Sequence, residues 1–124
     1  MPSEIVKQHY IALAKLLKIY RTAPLDRDLL KASQHFCNNL YDAAKTYPDL
    51  IFAQPQLYKP QLPFIVNLAF NSAVFTCLLA VRNKFDPSVT IQLMCGSLSI
   101  YALEQASIVK HYQTVEENEK SQTT

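Results

Sequence analysis

The chain has 124 residues, 49% of them apolar, and a formal charge of +2. That length supports a single domain with a core of its own, and the composition lies well outside the disordered range. So small a charge, with no dense Lys/Arg run, excludes the electrostatic footprint of a nucleic-acid or anionic-membrane binder.

One glycine, Gly96, stands against seven prolines. Sheets and tight hairpins draw on residues that tolerate positive φ, and this chain supplies almost none. The prolines fall mostly between long apolar-periodic stretches, the punctuation of an all-α bundle. The spacing predicts four main helices, with a fifth short turn in a proline-rich crossover between the second and third.

The first predicted helix covers Ser3 to about Tyr20. Ile5, His9, Leu13, Leu16 and Tyr20 form its inner stripe, widened by Val6, Tyr10 and Leu17. The charged N-terminus, with Glu4, Lys7 and His9, lacks the apolar segment of a secretory signal. Pro24 interrupts, and Asp26 and Asp28 sit where a following helix N-terminus favours anions. The second helix is expected from Leu25 to Thr46, with Leu29, Ser33, Phe36, Leu40 and Ala44 inward.

Residues 48–63 hold Pro48, Pro55, Pro60 and Pro63 alternating with Leu50, Ile51, Phe52, Leu57, Tyr58 and Leu62. Proline density forbids a long helix, while the apolar side chains argue for a crossover packed on the bundle, with one turn near Asp49–Phe52. Beyond it, Gln61 to Val81 and Pro87 to Leu103 carry no charged side chain. The third helix (Phe64–Asn83) and the fourth (Ser88–Tyr112) are therefore expected to be the most buried elements, an antiparallel pair. Asp86-Pro87-Ser88 marks the start of the fourth, and Gly96-Ser97 offers a small surface for close approach of another helix. Residues 113–124 read as a polar tail or linker after a domain at 1–112.

No residue pattern carries chemistry. Cys37, Cys77 and Cys95 are widely spaced and without a CxxC pair, the pattern of free, buried thiols in a reducing compartment, and a cytoplasmic location is expected. His9 lies on a core stripe; His35 and Cys37 diverge by about 200° on a helix; His111 suits a helix C-terminus. None has zinc-site spacing, and no metal or cofactor is expected. Gly96-Ser97-Leu98-Ser99 lacks the second glycine and the strand-to-helix corner of a nucleophile elbow. Asn67 and Asn71, i and i+4 on the third helix, form with Glu104 a candidate buried polar cluster, read as satisfying crossover backbone rather than a ligand.

The segment Leu68-Ala69-Phe70-Asn71-Ser72-Ala73, then Leu79-Ala80, Phe85-Asp86 and Cys95-Gly96-Ser97-Leu98, resembles the HD superfamily of phosphohydrolases over about residues 64–104. That family includes output-type domains of bacterial signalling proteins. The resemblance implies an all-α fold with a metal-binding His at the position of Leu68 and a His-Asp pair at Ile100-Tyr101; a later Asp has no counterpart in the tail. With all these ligands replaced, it implies a degenerate domain whose former metal cleft is filled by core.

The function expected is a non-catalytic regulatory or protein-interaction module, such as the N-terminal domain of a signalling protein. Its candidate contact surface is Tyr47, Phe52, Leu57 and Tyr58, its partner another protein, with homodimerisation compatible and nucleic acid excluded. Three alternatives stay open. They are a small-molecule sensor with a cavity near Asn67, Asn71 and Glu104, a membrane-embedded helical hairpin, and a metal-dependent phosphohydrolase remnant. The hairpin has the length but also Asn67, Asn71, Ser72 and Thr76, which are costly in lipid.

Overall fold

The structure, a computed structural model, describes residues 2–22, 28–57, 59–60 and 62–100. Among these there is no strand. The elements are α1 (Pro2–Thr22), α2 (Asp28–Thr46), α3 (Pro48–Phe52), a 3₁₀ turn (Gln54–Gln56) and α4 (Phe64–Arg82). A further helix, α5, runs over 87–100. The all-α bundle and the short turn in the crossover are as the proline spacing predicts.

Amphipathic periodicity places the first two helices. All five stripe residues of α2, Leu29, Ser33, Phe36, Leu40 and Ala44, are buried, as are Leu13, Leu16 and Tyr20 of α1. α1 packs against α2 and α4, while α3 and the 3₁₀ turn bridge from α2 to α4. Each helix sends at least one completely buried side chain to the core: Leu13, Leu40, Ile51, Phe70 and Leu98, all at 0% exposure.

Polar stitches fix the register of α1, α2 and α5. Ser33 donates its hydroxyl proton to the Leu29 carbonyl (2.9 Å), so the Tyr20 hydroxyl is the donor in the 2.7 Å bond to Ser33 Oγ. Ser99 Oγ of α5 lies 3.5 Å from the same tyrosine oxygen. The α1–α2 interface thus buries a serine without stranding it.

The connection from α4 to α5 is made without glycine. Phe85 N–H bonds to the Ala80 carbonyl (3.0 Å) and Lys84 N–H to Val81 (3.1 Å), the paired bonds of a Schellman stop. Lys84, not glycine, takes the left-handed position, at φ 58°. α5 then starts at Pro87, whose missing N–H costs nothing in a first turn.

One expectation is corrected in part. α4 is the least exposed of the long helices among the described residues, as expected, yet it still exposes Phe64 (79%), Phe75 and Leu79; α5 is not among the most buried, with Val89, Leu93 and Ile100 exposed. Absence of charge removes the cost of burying a face but does not supply a partner to bury it. Nor does a helix of the described chain approach Gly96, where an added Cβ would meet nothing within 4 Å. The second half of the predicted fourth helix and the tail lie outside the described residues.

Candidate interaction face

The residues expected to make contact surface separate. Tyr47 (39%) and Leu57 (54%) are exposed. Phe52 is partly buried against the core. Tyr58 lies outside the described residues. The polar cluster separates too. Asn67 Nδ2 donates to the Lys59 (3.3 Å) and Leu62 (3.4 Å) carbonyls, tying α4 to crossover backbone. Asn71 Oδ1 is buried with no hydrogen-bond partner, at a cost of about 1–3 kcal/mol. Glu104 lies outside the described residues, and no cleft described below is lined by either asparagine.

At the positions that the HD resemblance assigns to metal ligands, Leu68 is half-buried and Ile100 is 65% exposed. The expectation that apolar residues fill a former cleft with core is therefore corrected at Ile100, which faces outward; Tyr101 lies outside the described residues. Among the described residues no group of three His, Cys, Asp or Glu side chains could hold a metal ion. His9 Nδ1 donates to the Ile5 carbonyl at 2.7 Å, which leaves Nε2 a buried acceptor without a partner. His35 instead pairs locally with Asn39 (3.2 Å).

The outward residues are ordered. On α4, Phe64, Leu68, Phe75 and Leu79 share one helical face, and on α5 Val89, Leu93, Gly96 and Ile100 share another. These side chains were legible as apolar, but a helix apolar on all sides gives no periodic signal of which side faces in. Asn71, Ser72 and Arg82 are the polar members on the α4 face.

The three cysteines, far apart in sequence, converge from α2, α4 and α5. All are free and buried. Hydrogen bonding between Cys37 and Cys95, with burial and the nearby Cys77, pushes the Cys37 pKa up, while the same interaction draws Cys95 down. Burial raises Cys77 from 9.0 to about 11. An unfolded thiol ionises near pH 9 while folded Cys77 keeps its proton, so stability present below pH 9 is lost as pH rises toward 11. The expected loss is on the order of 1–3 kcal/mol for this group. Cys37 acts in the same direction and Cys95 against it. Urea midpoints at pH 8 and 10.5 check this: Cys77→Val should flatten the fall, and a fall as steep as in the parent chain would contradict it.

No family model matches the chain, and neither a curated protein nor a solved structure matches it at a significant level.

Proposed function

We propose that the chain is a non-catalytic helical interaction module, a degenerate HD-like domain of a cytoplasmic bacterial signalling protein. It docks to protein, a second copy of itself first among the candidates, through the outer faces of α4 and α5. The supporting observation is the pair of apolar stripes, with Phe64, Phe75 and Leu79 on one helix and Val89, Leu93 and Ile100 on the next. Monomers rarely leave such large side chains uncovered in ordered rows. Gly96, open to solvent within the second stripe, is where a partner helix would come closest. A self-complementary face repeated on two copies closes as a two-fold dimer.

Light scattering on the chain in detergent-free buffer, across a concentration series, tests this. A reversible dimer is the expected result; a monomer at all concentrations would rule out self-docking. One observation favours a second reading. Phe64–Arg82 is long and apolar enough to cross a membrane, with mean hydropathy 2.0 and 39% of its most apolar window buried. Aggregation cleared only by detergent would support that reading. Against it, α4 carries Asn67, Asn71, Ser72 and Thr76.

The HD-like part has its own test. Combining Leu68→His, Ile100→His and Tyr101→Asp is expected to yield a folded chain that retains a divalent metal after dialysis, measured by elemental analysis. A folded variant without metal would remove the HD relationship and leave the interaction reading standing.

A further inference from the structure

A cleft of about 560 Å³ opens between α1, the crossover and the start of α4. Val6, Ile11 and Ala14 line it from α1, and Leu62, Pro63 and Val66 from the other side. The volume is that of a small-molecule site, and the walls are mainly apolar. No Asp or Glu lines it; its charges are Lys59 and Lys7.

Lys59 is the unusual member. It is partly buried, with Nζ 4.8 Å from the Tyr10 ring centroid and 6.0 Å from that of Phe70. Its one hydrogen bond is to the Gln54 carbonyl at 2.9 Å. An ammonium has three donors, so two remain for another acceptor. Among the described residues no carboxylate pairs with it, although a cation taken out of water normally requires a counter-charge. Burial holds this amine below the usual lysine range. Among the described residues, this cation has no counter-ion.

We propose that this cleft binds a medium-chain fatty acid, its carboxylate on Lys59 and its alkyl chain along Val6, Ile11 and Val66. The first part of the argument is charge: Lys59 and the rim residue Lys7 select an anion over a neutral or cationic amphiphile. The second is the absence of free polar groups along the apolar wall. Gln54, 4% exposed, already receives the Tyr10 hydroxyl on Oε1 (3.4 Å) and gives Nε2 to the Leu50 carbonyl (3.0 Å). A peptide laid in the cleft would therefore strand its own N–H and C=O groups. An alkyl chain has none to strand. The start of α4 adds to the field: Pro63 gives it no side-chain cap, so its first N–H groups and its positive dipole end lie beside the cleft.

Isothermal titration of the full chain with octanoate, octanol and octylammonium tests the assignment. Octanoate is expected to saturate at one site per chain and to bind at least tenfold tighter than the other two. Lys59→Met, which keeps the stem and removes the charge, should weaken octanoate at least tenfold and leave octanol unchanged. Ala14→Phe, which fills the cleft, should weaken both together. Octanoate no tighter than octanol, or equally tight in folded Lys59→Met, overturns the proposal. If that variant fails to fold, the ranking of the three probes on the parent chain still decides.

Discussion

Phe70→Ala is expected to lower the free energy of unfolding by about 3–5 kcal/mol, the cost of deleting a fully buried aromatic ring. Phe70 is at 0% exposure and stacks on Tyr10, ring centroids 4.3 Å apart and 34° between planes. It sits where α1, the crossover and α4 meet, so the cavity left behind has walls on three elements and cannot close by moving one of them. Against a total stability of roughly 5–15 kcal/mol for a domain of this kind, the loss takes the chain close to its unfolding threshold. The control lies five residues on. Phe75 has the same side chain on the same helix but is 52% exposed, and Phe75→Ala should cost under about 1 kcal/mol. Urea unfolding of both variants reads the contrast. Equal losses would mean that α4 faces the core with a different side from the one described.

Phe75→Glu combined with Leu79→Glu is expected to raise the dissociation constant of the proposed dimer at least 100-fold while leaving the melting temperature of the monomer unchanged. Both side chains are more than half exposed in the single chain, at 52% and 59%. Burial of two such side chains in an interface contributes roughly 1.5 kcal/mol each, given that half of each is already covered. Their sum of about 3 kcal/mol corresponds to some two powers of ten in affinity, before the cost of desolvating two carboxylates is added. A Gly96→Ala companion separates fold from docking. Alanine in a helix interior with open space around it should stabilise the monomer by about 0.5–1 kcal/mol, yet weaken association if a second helix closes on that point. Sedimentation equilibrium reports the dimer and circular-dichroism melts the monomer. A dimer indifferent to the glutamate pair would place the contact elsewhere, with exposed Tyr47 and Leu57 next in line.

The two helices with mixed faces and the two without were not equally legible. In α2, charged and polar residues alternate with apolar ones at helical spacing, and the stripe Leu29, Ser33, Phe36, Leu40, Ala44 is buried throughout. In α4 the same reasoning had nothing to contrast. Val66, Ala69, Phe70, Ala73 and Cys77 are buried, but Phe64, Phe75 and Leu79 are just as apolar and stand in solvent. Asn67 was legible as a residue serving the crossover, because prolines there leave carbonyls without helical partners. That Asn71, one turn on, ends with a buried unpaired oxygen depends on what surrounds it.

Length, glycine poverty and proline placement determined by themselves that this is a helical bundle and where its breaks fall, and the apolar spacing of α1 and α2 determined which of their sides face inward. These properties depend on neighbours within one or two turns, and the chain states its neighbours directly. Tertiary structure alone decided the rest: the meeting of Cys37, Cys77 and Cys95, the outward face of α4 and α5, and the seat of Lys59 over the Tyr10 ring. Each depends on distant segments brought together by the packing of whole helices. Where a helix is apolar on every side, only its partners choose which side is core.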